Sequence, residues 1–91
     1  MTREFVLPPY WETFMSRYYF HRRANGELAR DRRGRQFESH GAACDHAIRR
    51  TPSILGKLIQ STTNTYLTTE VTDGERSLFV VRGTVIIERR R

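Results

Sequence analysis

The residues best suited to chemistry in this chain are arginines and aromatic residues concentrated between positions 17 and 35. The chain has 91 residues, with sixteen Lys and Arg against ten Asp and Glu and a net charge of +6, and Lys57 is its one lysine. Guanidinium groups bind phosphate in a bidentate manner, and exposed aromatic rings stack on unpaired bases. The composition therefore favours contact with nucleic acid. The residues predicted to make this contact are Arg17, Tyr19, Arg22, Arg23, Arg30, Arg32, Arg33 and Arg35.

The same segment also fits a purely structural interpretation, in which the arginines face water and the aromatic residues form a core. Residues 17–23 are typical of a strand, because aromatic residues favour a half-buried, pleated surface. Successive side chains of a strand point to opposite faces. One predicted face carries Tyr18, Phe20 and Arg22, and the other carries Arg17, Tyr19, His21 and Arg23.

Other kinds of site receive little support from residue spacing. His40 and Cys44 are four apart and would share a helix face, as two metal ligands require, but His46 would point elsewhere and His21 lies on a strand. The carboxylates form no spaced pair, and the six glycines are scattered rather than gathered in a phosphate-binding loop. We therefore expect no metal, no cofactor and no catalytic residue.

The elements that position these residues predict an α+β fold. We expect an antiparallel sheet of four or five strands, made of a hairpin, a helix and then two or three strands, with one kinked helical segment packed on one face. Asn25-Gly26 is a strong signal for a tight hairpin turn, because both residues tolerate a positive φ. The return strand is predicted at 27–30, and a second turn follows at 31–34.

The remaining elements are predicted from caps, breakers and alternation. Ser39 is suited to cap an alanine-rich helix, and Pro52 predicts either a kink or a fresh short helix over 52–60. Leu67, Thr69 and Val71 alternate with polar residues, which indicates a strand with one buried face. Two further strands are predicted at 77–81 and 84–88, separated by a bend at Arg82-Gly83.

The N-terminal segment 1–14 is predicted to be an arm or extension, and 15–91 a single domain. The apolar residues of this segment and the β-branched C-terminal strand must be shielded from water. This predicts a homodimer or an unidentified protein partner. A monomer with the arm folded on its own sheet is the alternative. The single cysteine fits a reducing cytoplasm, and the sequence holds no membrane-spanning run. The predicted interface residues are Tyr10, Trp11, Phe14, Val85 and Ile87.

The order of motifs resembles a family of small bacterial domains of unknown function, common in alphaproteobacteria. That family opens with M-x-R-Y-[FY]-F-H, as 15–21 do here, and continues with D-x-x-G, an alanine-rich helix and E-V-T-D. The counterparts here are 31–34, the alanines at 42, 43 and 47, and 70–73. Arg30 and Arg35 flank the usually acidic D-x-x-G turn, and Pro52 interrupts a helix that is usually continuous. The resemblance implies a fold and no established activity.

Taken together, these patterns predict a small non-enzymatic binding module that contacts nucleic acid through its basic hairpin. The alternative is a protein-protein interaction or adaptor module that acts through the N-terminal arm and the sheet edge. The two hypotheses differ in where the arginines point. A contiguous patch left unneutralised by Glu27, Asp31 and Glu38 favours nucleic acid, whereas dispersed, paired arginines favour a protein partner.

Overall fold

The computed structural model describes residues 15–60 and 63–90. It confirms the expected α+β fold, an antiparallel sheet of five strands with one helix packed against it. The elements are β1 (Ser16–Ala24), β2 (Glu27–Ala29), β3 (Arg35–Phe37), α1 (His40–Leu58), β4 (Thr65–Thr72) and β5 (Ser77–Val85).

Strand β1 is a long strand that pairs with three of the other four strands. Its C-terminal half pairs with β2 and its N-terminal half with β3, so two short strands share one edge of it. Its other edge pairs with β4, which in turn pairs with β5. The order is therefore β2-β1-β4-β5, with β3 beside β2 along β1. This arrangement leaves a gap between β2 and β3, opposite the middle of β1.

The core lies between α1 and the face of the sheet predicted from alternation. Leu67 and Val71 are fully buried at 1% and 0% exposure, and Tyr18 at 2% extends the same face onto β1. Ala43 and Ala47 are the buried residues of α1. Because their side chains are single methyl groups, the helix lies close to the strands.

The helix begins where the sequence predicts and ends at Leu58, two residues before the predicted end. The hydroxyl of Ser39 accepts a hydrogen bond from the Ala42 amide at 3.0 Å, which caps the first turn. The expectation of a fresh helix beginning at Pro52 is wrong, because α1 is continuous to Leu58. Proline removes the donor for the Ile48 carbonyl, and this missing bond lies at an exposed position of α1, since Ile48 is exposed at 52%.

The C-terminal strands also differ from the expectation. The two strands predicted at 77–81 and 84–88 form one strand, β5, which runs without a break through Gly83. A Cβ at Gly83 would lie 2.6 Å from Thr51 Cγ2 and 2.7 Å from Leu55 Cδ1. The glycine therefore marks the close approach of α1 to the sheet rather than a bend.

The first hairpin turn has the predicted geometry. Asn25 has φ of 50° and Gly26 φ of 92°, as a type I′ turn requires. The Asn25 amide donates to the Tyr66 carbonyl and its side-chain oxygen accepts from the Tyr66 amide, which ties the turn to the start of β4. Within the described ranges, no helix is long and apolar enough to cross a membrane.

Candidate nucleic-acid interface

A single carboxylate organises the loop that carries most of the candidate arginines. Asp31 lies in the gap between β2 and β3, and its carboxylate accepts from the backbone amides of Phe20, Arg33 and Gly34 at 3.1, 3.0 and 3.0 Å. The Phe20 amide faces the interval of β1 that neither short strand covers, so Asp31 supplies the acceptor that a strand would have supplied. The Asp31 amide donates to His21 Nδ1 at 3.0 Å.

These hydrogen bonds also fix the charge of Asp31. Burial opposes ionisation of the carboxyl, but the bonds from Gly34, Phe20 and Arg33 outweigh it and lower the pKa of Asp31 below its ordinary value, with a smaller contribution from His21. The carboxylate is therefore ionised at neutral pH and committed to the backbone.

The glycine of the D-x-x-G turn is required by its surroundings. Gly34 has φ of 69°, a left-handed conformation that side chains disfavour. A Cβ there would lie 2.8 Å from the Tyr18 carbonyl oxygen, from Arg17 Cγ and from Tyr19 Cε2. The turn therefore packs directly on β1, and it brings the arginines on either side of Gly34 to the same edge of the sheet.

The result is a cleft between α1 and the segment from β2 to β3, which we call the arginine cleft. Its volume is about 500 Å³. Six arginines and one histidine line it together with a single carboxylate, that of Asp31, and a floor of apolar and small residues. The lining consists of Phe20, Arg22, Ala29, Arg30, Asp31, Arg32, Arg33, Arg35, His46, Ala47, Arg50, Ile54 and Thr69.

The positive charge of the arginine cleft is not neutralised within the part of the chain that the structure describes. There, the ion pairs involve Arg49, Arg76 and Arg90, none of which lines the cleft. Glu27 and Glu38 are exposed and form no ion pair with the cleft arginines in the same ranges. Among the described residues, the cleft arginines therefore form a contiguous patch that Glu27 and Glu38 do not neutralise.

The electrostatic potential of the cleft acts on the one imidazole in it. His46 packs against Phe20 and Phe37, with ring centroids 5.2 and 5.1 Å apart. Burial lowers the pKa of His46, and the positive charges of Arg35 and Arg50 lower it further. The imidazole is therefore neutral at pH 7, so the positive charge of the cleft comes from its arginines.

The structure separates the eight predicted contact residues into two groups. Five of them line the arginine cleft, namely Arg22, Arg30, Arg32, Arg33 and Arg35. The other three lie on the opposite face of the sheet or at its edge. There Arg17 donates to the Arg33 carbonyl at 2.7 Å, Tyr19 stacks beside His21 with centroids 6.4 Å apart, and Arg23 donates to the Gly26 carbonyl at 3.1 Å.

Besides the five predicted arginines, a histidine and a sixth arginine line the cleft, His46 and Arg50, and neither was among the predicted contact residues. They lie on one face of α1 with Ala47 and Ile54, at the i, i+4 and i+8 spacing of a helix. That periodicity is visible in the sequence once Ala47 is taken as a core position. What the sequence does not show is that this face of the helix lies opposite the Asp31 turn.

The remaining candidate residues are not brought into a site. Among the described residues, no group of three or more His, Cys, Asp or Glu is placed to hold a metal ion, and Cys44 is a half-buried free thiol. Val85 ends the edge strand β5, and Ile87 follows it with 38% exposure. Tyr10, Trp11 and Phe14 lie outside the described residues, as does the predicted arm as a whole.

Comparison with known proteins places the chain in a family. Residues 17–84 match the family described as "Domain of unknown function (DUF6894)". Comparison with curated proteins and with solved structures gave no match. The matched segment runs from β1 almost to the end of β5 and includes every residue of the arginine cleft. The predicted resemblance to a family of domains of unknown function is confirmed at that level, and the chain belongs to the DUF6894 family.

Proposed function

We propose that this protein is a small non-enzymatic binding module that contacts nucleic acid through the arginine cleft. The observation that carries the proposal is the set of six arginines around one concavity, with a lone carboxylate already bonded to three backbone amides. Arginine is the side chain best matched to phosphate oxygens, because its planar fork donates two parallel hydrogen bonds. The residues that line the cleft supply cations and do not pair a nucleophile with a base. They therefore suit binding better than catalysis.

The size of the electrostatic effect follows from counterion release. A single strand that makes about four phosphate contacts loses affinity roughly fiftyfold between 50 and 200 mM salt, since the slope is about −0.7 per contact. The arginines of the cleft project from β1, the Asp31 turn, β3 and α1, so four simultaneous contacts are within their reach. Steep salt dependence is therefore the expected signature.

A fluorescence-anisotropy titration tests the proposal with a labelled single-stranded RNA and a duplex DNA at two salt concentrations. We expect micromolar binding at low salt. Replacing Arg32 and Arg33 together by alanine removes two exposed cations of the cleft and should reduce the salt slope by about 1.4.

The matched control is the double variant R23A/R82A, which removes two arginines that flank Thr68 on the opposite face of the sheet. It has the same net charge as R32A/R33A, so any difference between the two reports position rather than total charge. Equal losses in both variants would assign binding to the overall charge, and no binding of either nucleic acid at low salt would refute the proposal.

A protein-protein interaction module is the second candidate, and it is favoured by the edge of β5 that no other described strand covers. This strand has nine residues and pairs with β4 along one edge. Exposed Ile86 and Ile87 follow it, and an unpaired edge of this kind is a template for a second chain. We propose pairing of two copies through this edge as the basis of the expected homodimer.

Light scattering tests the second candidate directly. The wild-type chain should have the mass of two copies, and the I86K/I87K variant the mass of one. The L28K variant, which places a lysine at another exposed apolar position on β2, should remain dimeric. A wild-type mass of one copy at high micromolar concentration would exclude the dimer.

A further inference from the structure

The arginine cleft has the dimensions of a small-ligand site rather than of a surface track. Its volume of about 500 Å³ lies within the range of roughly 300–1,000 Å³ that is usual for pockets that bind small molecules. The sheet residues Phe20, Arg22 and Thr69 form its floor, α1 forms one wall, and the Asp31 turn forms the other. A group of nucleotide size fits within these walls.

Packed aromatic rings form part of the cleft lining. Phe20 and His46 are both lining residues, and both pack against Phe37, with the Phe20 and Phe37 centroids 5.8 Å apart. Rings of this kind give the cleft an apolar surface on which a nucleobase can stack.

The density of positive charge in the cleft favours a terminal phosphate over a phosphodiester within a chain. A phosphodiester carries one negative charge, whereas a phosphomonoester carries about −1.5 to −2 at pH 7 and presents three acceptor oxygens. Two guanidinium forks saturate the two free oxygens of a diester. The six forks of the cleft provide more donors than that, and they suit a terminal phosphate whose three oxygens are free.

We propose that the arginine cleft binds a phosphomonoester, carried either by the 5′ end of a nucleic acid strand or by a free nucleotide. This inference rests on the proposed nucleic-acid function and specifies the group that the cleft recognises. Arg50 on α1 and Arg35 on β3 both line the cleft near His46, and in this proposal the terminal phosphate lies between them. The adjoining base lies over the apolar part of the floor.

The neutral imidazole of His46 provides an internal reporter of occupancy. Burial and the positive charges of Arg35 and Arg50 lower its pKa in the free protein. Arg22, Arg30, Arg32, Arg33 and Asp31 are the other charged groups that line the cleft with it. A bound dianion offsets that positive charge, so the pKa of His46 should rise when the cleft is occupied. The ring signals of His40, which packs edge-to-face with Tyr18 outside the cleft, should keep their positions when the ligand binds.

The test compares two single-stranded oligonucleotides of identical sequence, one with a 5′-phosphate and one with a 5′-hydroxyl, together with a nucleoside 5′-monophosphate as competitor. We expect the phosphorylated strand to bind at least about tenfold tighter, since tenfold corresponds to about 1.4 kcal/mol and one charge-assisted hydrogen bond contributes at least that much. The monophosphate should displace both strands. Proton NMR of the histidine rings should show the pKa of His46 rising with either phosphorylated ligand.

Neighbouring arginines on α1 provide a matched pair of variants. Arg50 lines the cleft, whereas Arg49 points away from it and pairs with Asp45 at 2.9 Å. R50A should lose most of the preference for the 5′-phosphate, and R49A, with the same change of charge, should keep it.

The outcomes separate this inference from the proposed function. Equal affinity for the two strands, with no displacement by the monophosphate, would overturn the inference and leave nucleic-acid binding intact. Binding of the monophosphate without binding of either strand would support the phosphomonoester site and refute the nucleic-acid function. Failure of all three ligands to bind would refute both.

Discussion

Gly34 provides the sharpest test of how the arginine cleft is built, because two separate physical effects act on one residue. Its φ of 69° is a conformation that costs a residue with a Cβ about 1–2 kcal/mol. A Cβ there would also lie 2.8 Å from the Tyr18 carbonyl oxygen, which belongs to the backbone of β1 and cannot rotate away. Overpacking of this kind costs roughly 1–3 kcal/mol. We therefore expect the G34A variant to lose about 2–5 kcal/mol of unfolding free energy.

Gly26 provides the matched control for that experiment. It also has a positive φ, of 92°, but a Cβ there would have nothing within 4 Å. The G26A variant should therefore lose only the conformational part, about 1–2 kcal/mol. Asparagine tolerates the left-handed conformation, so G26N should be nearly neutral while G34N keeps the steric loss.

Urea unfolding followed by far-UV circular dichroism measures all four variants. A domain of this size is stable by only about 5–15 kcal/mol, so the G34A loss would be a large part of the total. The reasoning is refuted if G34A is no less stable than G26A. It is also refuted if G34N is as stable as the wild type, because the close contact with β1 would then carry no energy.

Two further predictions concern the Asp31 turn and the helix cap. The D31A variant should lose about 2–4 kcal/mol at pH 7, because three amides lose a charged acceptor. The folded-state pKa of Asp31 is lowered, so this contribution is complete above its ordinary value near 3.8 and disappears as the pH falls through the folded-state value. Wild-type and D31A urea curves should therefore converge in acid, and an unchanged difference at pH 2 would contradict the assignment. The S39A variant should lose about 1 kcal/mol through its cap on Ala42, whereas S53A on the exposed face of α1 should be neutral; equal melting temperatures for the two would show that the cap is not formed in solution.

The sequence by itself determined the features that depend on neighbouring residues. Asn25-Gly26 sets the first turn because these two residues accept a positive φ, and Ser39 sets the start of α1 because its hydroxyl reaches an amide three residues ahead. Alternation correctly predicted Leu67, Thr69 and Val71 as a buried face of β4, although Thr72, predicted on the other face, is also buried. Each of these depends on contacts within a few residues, for which the local sequence is sufficient.

The boundaries that depend on packing were less well predicted. Pro52 is a local signal against a helix, yet α1 continues through it because Ile54, Leu55 and Leu58 remain half-buried beyond it. Gly83 is a local signal for a bend, yet β5 continues because the helix needs space at that position. In both cases tertiary contacts outweighed the preference of a single residue.

Only the tertiary structure decided which arginines form one site. The alternation of side chains along β1 predicted that Arg22 and Arg23 lie on opposite faces of the sheet. It did not show which face would meet Arg50, which is 28 positions beyond Arg22 in the chain. Nor did it show that Asp31 would bond to the Phe20 amide and so hold Arg32 and Arg33 over the helix side of the sheet. Those positions depend on how α1 packs across β1 and on a gap in strand pairing. Both arise from contacts between distant segments, which no local pattern encodes.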